Sequence, residues 1–185
     1  MPLKRTASGY EREFTCIPSS GVNYTVMKTA VYPGTFDPIT NGHLDLISRS
    51  LLIVDRIIVA VAANTEKNPL FDVKKRVELV EKSTSGMKNV EVTSFGNLLV
   101  DFCTTKGVKM VIRGLRVVSD FEYELQMSLM NRKLNEKIET VFMMPSEEYT
   151  FVSSKLIKEV AGFGGNVSGQ VPSIVADALK EKFSG

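Results

Sequence analysis

The chain has few of the residues that build metal centres and disulfide frameworks. Its 185 residues include two cysteines, one histidine and no tryptophan. Cys16 and Cys103 provide neither a disulfide framework nor a metal-ligand spacing, which is typical of proteins from a reducing compartment. The single histidine, His43, argues against a histidine-rich metal site. The sequence therefore predicts no protein-bound metal centre, and we expect Cys103 to be a buried, unreactive thiol.

The chain also lacks an excess of either charge and any long apolar run. Its 23 basic and 21 acidic residues leave a net charge of +2, unlike the surface of a nucleic-acid-binding protein. No apolar run approaches the length of a membrane span, and the first 25 residues lack the apolar core of a signal peptide. We therefore expect a cytoplasmic protein that binds neither nucleic acid nor membranes.

The N-terminal residues differ in composition from the rest of the chain. Residues 1–26 contain serine, threonine, glycine, proline and mixed charges without helical or alternating periodicity. Regular apolar patterns begin after them, and 185 residues are enough for one domain with a full core. We predict a poorly ordered extension over residues 1–26 and a single domain over residues 27–185.

Within the predicted domain, short apolar runs alternate with helical patterns. The predicted strands are Thr29–Tyr32, Arg56–Ala62, Val90–Phe95, Lys109–Ile112 and Thr140–Met144. The predicted helices are His43–Ile53, Val73–Ser83, Leu98–Lys106, Phe121–Asn135, Ser153–Ala161 and Ile174–Lys182. Continuous apolar strands indicate a sheet covered on both faces, and the alternation favours parallel strands joined by right-handed crossovers. The predicted fold is a single doubly wound parallel-sheet α/β domain of Rossmann-like type.

Several common cofactor and catalytic motifs are missing. No G-x-G-x-x-G follows the first strand, which argues against ordinary dinucleotide redox binding, and no G-x-x-x-x-G-K-[ST] occurs, which excludes P-loop chemistry. The absence of G-x-S-x-G argues against a serine nucleophile on an elbow turn. The run Gly162-Phe163-Gly164-Gly165 follows a helical pattern, so it is interpreted as a helix stop.

The segment Tyr32-Pro33-Gly34-Thr35-Phe36-Asp37-Pro38-Ile39-Thr40-Asn41-Gly42-His43 has the order strand, turn, helix start. Backbone amides at a helix N-terminus lack intrahelical partners, and the helix dipole adds positive potential there. Such a place suits phosphate, and His43 in the first turn would face the same anion. For an isolated histidine, a helix cap or a packed side chain is the preferred interpretation, but the glycine turn and the helix start reverse that preference here.

Cationic and donor groups gather in the predicted strand-to-helix turns. In doubly wound sheets, ligands bind beyond the carboxyl ends of the strands. His43, Lys67, Arg113 and Arg116 all follow predicted strands there, which indicates a ligand with several negative charges. The alternatives are an ordinary surface lysine and arginines paired with acidic residues of the next helix.

Two of these motifs resemble signatures of a known protein superfamily. Thr40-Asn41-Gly42-His43 resembles the [T/H]-x-G-H signature of the nucleotidylyltransferase superfamily, and Phe151-Val152-Ser153-Ser154 resembles its second signature, a serine pair that opens a late helix. More closely, the chain resembles the bacterial phosphopantetheine adenylyltransferases. The blocks that carry this likeness lie in order between residues 28 and 183: Tyr32–His43, Ile112–Arg116, Asp120–Glu124, Met130–Arg132 and Met144–Ser146.

The resemblance implies a reaction and an assembly. ATP and 4′-phosphopantetheine would give dephospho-coenzyme A and pyrophosphate, by direct in-line attack of the acceptor phosphate on the α-phosphate. The resemblance also implies Mg²⁺ bound mainly through the ATP phosphates, coenzyme A as a feedback ligand, and a homohexamer. The helix Phe121–Asn135 supplies an amphipathic face for a subunit contact. We expect the methionines Met127, Met130, Met143 and Met144 to lie in the core.

The resemblance implies roles for individual residues as well. The catalytic positions are Thr35, His43, Lys67 and Arg116, and the acceptor-binding positions are Thr35, Lys67, Leu99 and Arg113. The ATP-binding positions are Thr35, Phe36, His43, Gly114, Leu115, Arg116, Glu124, Tyr149, Thr150, Phe151, Val152, Ser153, Ser154 and Lys155. His43 would donate a hydrogen bond to the α-phosphate in the transition state. Family members commonly have a serine where this chain has Lys155, which leaves the detailed ATP contacts of that loop open.

Two other functions fit parts of the pattern. A different nucleotidylyltransferase, acting on another phosphate acceptor, would share Thr40–His43, but Lys67 and the block Arg113–Arg116 argue against it. A catalytically silent nucleotide sensor would have lost the histidine or the acceptor-binding cations, all of which this chain retains.

Overall fold

The computed structural model describes residues 27–63 and 68–184. The strands are β1 (Thr29–Gly34), β2 (Arg56–Ala62), β3 (Val90–Phe95), β4 (Met110–Gly114) and β5 (Glu139–Met143). The helices are α1 (Asn41–Ser50), α2 (Val73–Thr84), α3 (Leu99–Thr105), α4 (Val118–Leu134), α5 (Ser154–Gly162) and α6 (Ser173–Phe183), with a short 3₁₀ turn at Glu147–Tyr149. The extension predicted over residues 1–26, Cys16 and Lys67 lie outside the described residues.

The strands form one parallel sheet in the order β3-β2-β1-β4-β5. The chain moves outward from β1 to β3, then returns to the other side of β1 for β4 and β5. The strand order therefore reverses between β1 and β4, which is where ligands bind in such sheets. This topology confirms the predicted doubly wound parallel α/β domain.

Alternate residues of the central strands enter two separate cores. Tyr32, Ile57 and Val59 belong to a larger cluster that α1, α2 and α6 cover. Val31 and Ile58 belong to a smaller one, beneath α3. Because both faces of these strands are buried, their sequences are continuously apolar, as the sequence analysis assumed.

Cys103 is buried in the smaller core. Its side chain is fully covered, and burial raises the pKa of its thiol to about 11. A thiol with so high a pKa carries almost no thiolate at neutral pH and is therefore unreactive. The prediction that Cys103 is buried among apolar residues is confirmed.

The observed ends of several elements differ from the predicted ones for local reasons. The strand β1 continues through Pro33 to Gly34, because its pairing with β4 stops at Val31 while its pairing with β2 runs on. The two strands separate beyond Val31, so the sheet opens between them. The helix α1 begins at Asn41 rather than His43, since Thr40 caps it. The predicted helix stop at Gly162 is confirmed: Gly164 has a φ of +76° and its amide donates to the carbonyl of Ala161.

The methionine prediction was wrong for three of the four residues. The side chains of Met127, Met130 and Met144 are exposed, whereas Met143 packs against the larger core. The helix α4 is 17 residues long and rests mainly on α3 and β5, at the edge of the sheet. Much of its surface is therefore uncovered, apolar residues included. Among the described residues, no helix has the length and apolar character needed to cross a bilayer.

Gly114 at the end of β4 permits close contact with α1. A Cβ atom built on Gly114 would lie 2.5 Å from Cδ1 of Leu46, and Leu46 is itself buried in the larger core. Leu46 has little room to move, because core side chains are close-packed.

We predict that Gly114→Ala lowers the free energy of unfolding by about 1–3 kcal/mol through overpacking against Leu46. Urea denaturation followed by circular dichroism measures the change. Gly86→Ala is the matched control, since a Cβ at Gly86 has open space around it. Equal midpoints for the two variants would contradict this account.

Candidate active site

A cavity of about 400 Å³ opens where β1 and β4 separate. Its wall comes from the carboxyl ends of these two strands, the start of α1, the start of α5 and one face of α4. The lining residues are Tyr32, Pro33, Gly34, Thr35, Phe36, Thr40, Gly42, His43, Leu46, Arg113, Gly114, Arg116, Asp120, Glu124, Pro145, Tyr149, Val152, Ser153, Ser154 and Lys155. The cavity thus lies at the reversal of strand order, the position expected for the ligand.

His43 is held by a reciprocal pair of hydrogen bonds at the start of α1. The Thr40 amide donates to the His43 Nδ1 at 3.0 Å, and the His43 amide donates to the Thr40 Oγ1 at 3.4 Å. This is a capping box in which a histidine takes the place of the usual glutamate. Because Nδ1 accepts an N–H, the ring proton must reside on Nε2, and the imidazole is a donor at that nitrogen.

The imidazole is also neutral at physiological pH. Burial, together with the nearby charges of Arg116 and Arg113, lowers the pKa of His43 to about 4. The T-shaped contact with the Phe36 ring, 5.2 Å between centroids, packs one side of the ring. His43 therefore offers the cavity a neutral N–H donor in a fixed orientation.

Arg113 enters the cavity from the end of β4. Its Nε donates to Glu124 Oε2 at 2.7 Å, its Nη2 donates to Glu124 Oε1, and its Nη1 donates to the Pro33 carbonyl at 2.6 Å. Burial opposes the charge, but the hydrogen bonds that Arg113 donates to Glu124, together with the negative charge of Glu124, outweigh it and raise the pKa of Arg113. The guanidinium therefore bridges the gap between β4 and β1 as a permanent cation.

Arg116 faces the cavity from the loop after β4. Its Nε donates to Asp120 Oδ2 at 3.1 Å, and its Nη1 donates to the Val152 carbonyl at 3.1 Å. This second bond links the loop after β4 to the segment that precedes α5. Both arginines thus pair with carboxylates of α4, the alternative that the sequence analysis left open.

The turn after β1 brings Thr35 and Phe36 to the cavity wall. Thr35 is exposed there, whereas Phe36 is buried and takes the left-handed φ of +48°. The Phe36 ring packs edge-on against Tyr32, with 5.6 Å between centroids. This packing directs the backbone of the turn toward the cavity and the phenyl ring away from solvent.

The start of α5 forms the opposite wall. The Ser153 Oγ accepts from the Leu156 amide at 3.1 Å and caps the helix, and the Ser154 Oγ donates to the Pro38 carbonyl at 2.7 Å. The hydroxyl groups of both serines thus stabilise the start of α5, and both residues also line the cavity. Lys155 lines the cavity with an exposed side chain and forms no ion pair within the described residues.

Most of the residues expected at the site lie together, but some do not line the cavity. Leu99 packs on the smaller core from α3. Leu115 is buried, and its amide donates to the Met143 carbonyl. Thr150 donates its hydroxyl to the Glu147 carbonyl, and Phe151 is 62% exposed. Lys67 lies outside the described residues, so its place at the site remains a prediction.

Other residues of the cavity wall had no clear signal in the sequence. Tyr32 is buried beside His43, and desolvation raises the pKa of its phenol, so it remains protonated. Asp120 was considered only as a partner for an arginine, yet it lines the cavity. In the sequence Thr40 is only the first position of the Thr40–His43 motif. The hydrogen bonds show that it also orients the His43 ring. Its position three residues before His43 was the available signal, because capping boxes have that spacing.

The chemistry of the cavity wall suits an anionic ligand. Two guanidinium groups, a lysine, an imidazole donor and two helix N-termini converge on the cavity. Within residues 27–63 and 68–184, no three acidic, histidine or cysteine side chains cluster as metal ligands. The cations and N–H donors of the wall can bind phosphate groups and neutralise their charge. Phosphoryl-type transfer requires this of a protein.

Comparison with known proteins first defines the class. Residues 31–160 match the cytidylyltransferase-like family. A solved structure from Vibrio parahaemolyticus, described as a "putative nicotinate-nucleotide adenylyltransferase", superimposes with a TM-score of 0.63 at 18% identity, over 85% of this chain and 95% of its own. The fold is accordingly that of a nucleotidyltransferase.

Closer relatives then define the family. A phosphopantetheine adenylyltransferase from Alkaliphilus metalliredigens is 54% identical over 156 residues, covering 84% of this chain and 99% of the relative. The enzyme of the same name from Thermodesulfovibrio yellowstonii is 55% identical over 157 residues, covering 84% and 98%. The chain belongs to the phosphopantetheine adenylyltransferase family.

We predict that His43 titrates near pH 4 in the folded protein. Because it is the only histidine, its carbon-bound ring protons can be followed by NMR without assignment, and the Nε2–H tautomer can be read from the ¹⁵N shifts. A measured pKa at or above the ordinary value of about 6.5 would contradict a buried, neutral ring.

The same shift predicts a pH dependence of stability. Between about pH 6.5 and 4 the unfolded chain binds a proton at this histidine that the folded chain does not. The contribution of neutral His43 to the free energy of unfolding is therefore fully present above pH 6.5. It falls by about 3 kcal/mol as the pH drops to 4. Urea denaturation of the wild type and of His43→Gln isolates it, since the carboxylates titrate in both proteins.

Proposed function

We propose that this protein transfers the adenylyl group of ATP to 4′-phosphopantetheine, forming dephospho-coenzyme A and pyrophosphate. The observation that carries the proposal is the joint presence of the family match and of a cavity whose donors all suit phosphate. The reaction consumes ATP and makes a precursor of coenzyme A, so we place the protein in the cytoplasm.

The chemistry is a single in-line displacement. An oxygen of the acceptor phosphate attacks the α-phosphorus of ATP, the bond to the bridging oxygen breaks, and pyrophosphate leaves. The attacking phosphate is already deprotonated at neutral pH, so the protein needs no general base. The work left to the protein is to align two anions that repel each other and to neutralise the charge that builds up on the α-phosphate.

His43 is the donor for that charge. Its Nδ1 is occupied by the Thr40 amide, so the ring presents Nε2–H and no lone pair to the cavity. A neutral donor adds a hydrogen bond as the oxygens of the α-phosphate gain charge, and it needs no proton transfer. This separates its role from that of a base or a nucleophile.

Thr35, Lys67 and Arg113 would hold the acceptor phosphate. Arg113 uses three N–H groups in bonds to Glu124 and Pro33, and a guanidinium has five. Two donors remain for a phosphate while the pair with Glu124 stays intact. Leu99 would contact the pantetheine chain.

Arg116 and the start of α5 would hold ATP. Arg116 likewise retains two N–H groups beyond its bonds to Asp120 and Val152. Lys155, free of ion pairs within the described part of the chain, adds a cation for the triphosphate. The remaining ATP contacts would come from Phe36, Gly114, Leu115, Glu124 and the loop 149–154.

Mg²⁺ enters this proposal with the nucleotide. The carboxylates that line the cavity, Asp120 and Glu124, are engaged with arginines, so they provide no dedicated metal site. Magnesium is commonly bound through substrate phosphates rather than by an all-protein cage. When bound, it would neutralise part of the triphosphate charge.

We also propose a homohexamer that uses α4. Seven large apolar side chains of this helix are at least 37% exposed in the single chain: Phe121, Tyr123, Leu125, Met127, Leu129, Met130 and Leu134. These side chains lie on two sides of the helix: Phe121, Leu125 and Leu129 share one side, and the other four share the opposite side. So much exposed apolar surface on one helix is typical of a subunit contact. Because α4 also carries Asp120 and Glu124, assembly would brace the cavity wall. Coenzyme A, which contains the adenylylated product, would compete for the same cavity as a feedback ligand.

We expect purified protein to release pyrophosphate from ATP in the presence of 4′-phosphopantetheine, and His43→Ala to lower kcat about 10²- to 10³-fold. The KM for ATP should change only a few-fold, because the donor acts mainly in the transition state. Ser48→Ala, an exposed position on α1, is the control. Turnover of His43→Ala close to that of wild type would remove His43 from the mechanism.

The choice of acceptor tests the function itself. Nicotinamide mononucleotide and glycerol 3-phosphate should be poor acceptors compared with 4′-phosphopantetheine. Equal or faster transfer to either of them would assign the chain to another nucleotidyltransferase reaction. Binding of ATP without pyrophosphate release from any acceptor would indicate a nucleotide sensor.

We expect the purified protein to have about six times the 20.5 kDa mass of the chain by light scattering. Leu129→Glu should shift it to smaller species, because it places a charge in an apolar contact. Leu52→Glu, at a leucine that is 83% exposed outside α4, should not. A wild-type monomer would overturn the assembly.

A further inference from the structure

Arg76 is a buried charge that does not reach the cavity. It lies in the first half of α2 and is 1% exposed, although arginine is rarely covered so completely. Burying a charge is costly unless the group is fully hydrogen-bonded. Arg76 therefore stands out among the residues that neither line the site nor belong to the apolar core.

Its guanidinium binds three backbone carbonyl groups from three different segments. Nη1 donates to the Thr35 carbonyl at 2.7 Å and to the Ala62 carbonyl at 2.8 Å, and Nε donates to the Phe71 carbonyl at 3.0 Å. Thr35 belongs to the turn after β1, Ala62 ends β2, and Phe71 directly precedes the N-cap of α2. One side chain thus fixes the distances between these three segments.

A second buried charge binds the same region with opposite polarity. Asp37 is 3% exposed and accepts from the amides of Leu70 and Phe71, at 2.9 Å each. Its Oδ2 also accepts from Lys158 Nζ on α5 at 2.5 Å. Asp37 binds the amides of Leu70 and Phe71, and Arg76 binds the Phe71 carbonyl. Both charged side chains therefore connect the turn after β1 to the residues that precede α2.

These bonds concern the residues that would bind the acceptor phosphate. Thr35 lines the cavity, and its carbonyl accepts the shortest of the three hydrogen bonds that Arg76 donates, at 2.7 Å. The ATP-facing start of α5 receives no bond from Arg76.

We infer that Arg76 is a positioning residue for the acceptor half of the site, acting through the Thr35 carbonyl. The inference rests on the proposed function, which assigns Thr35 to the acceptor phosphate. Its planar guanidinium is required, because a lysine ammonium carries the same charge but lacks the rigid fork that spans several acceptors.

The decisive variants are Arg76→Lys and Arg76→Met, measured against Leu79→Ala. Leu79 lies one turn further along α2 and is fully buried in the larger core, so its truncation destabilises the same helix without touching the Thr35 turn. All proteins are assayed well below their melting temperatures, with folding checked by circular dichroism. Calorimetric titration of 4′-phosphopantetheine and of ATP gives the two affinities without turnover.

Arg76→Lys and Arg76→Met should lower kcat about 10- to 100-fold, because a displacement of about 1 Å at the reacting groups has effects of this size. Affinity for 4′-phosphopantetheine should fall at least tenfold, whereas affinity for ATP should change less than threefold. Leu79→Ala should keep both affinities and kcat near those of wild type while melting at a lower temperature.

Equal losses of both affinities, or variants that differ from Leu79→Ala only in stability, would overturn the inference. Failure of Arg76→Lys to fold where Leu79→Ala folds would also overturn it, by assigning Arg76 to the stability of the fold. Failure of the proposed function would appear differently, as a wild type that transfers no adenylyl group to 4′-phosphopantetheine.

Discussion

The site depends on the reciprocal hydrogen bonds between Thr40 and His43. They satisfy amides that a helix N-terminus otherwise leaves unpaired, and they fix which nitrogen of the imidazole carries the proton. Burial beside Arg113 and Arg116 keeps the ring neutral. The interaction that starts α1 therefore also fixes the N–H donor, so helix formation and the proposed catalytic chemistry would use the same atoms.

Around this interaction, the separation of β1 from β4 makes the space. Pairing between the two strands ends at Val31, and Arg113 spans the opening by donating to the Pro33 carbonyl. The two arginines of the cavity wall are restrained by the carboxylates of α4. Asp37 and Arg76, which lie outside the cavity, restrain the turn after β1. The cations are thus held in place before any phosphate arrives, which reduces the reorganisation that binding and reaction require.

The sequence predicted the architecture well because its signals are local and repeated. Apolar runs indicated the strands, and the turn and capping spacing around Thr40 indicated the start of α1. It could not predict contacts that depend on tertiary geometry. Arg76 has the sequence context of a surface residue on an amphipathic helix, and its burial arises only where the ends of β1 and β2 meet α2. Met127 and Met130 are exposed because α4 lies at the edge of the sheet, a position that composition does not encode.

The central claim is that the protein aligns two substrates and supplies no nucleophile. His43 cannot attack phosphorus, because Nδ1 is occupied by Thr40 and Nε2 carries the proton. The most direct test is the stereochemical course of transfer from ATP chirally labelled with sulfur at the α-phosphorus. A single in-line displacement predicts inversion of configuration in the dephospho-coenzyme A analogue. Retention would require two displacements through an adenylylated protein and would contradict the account.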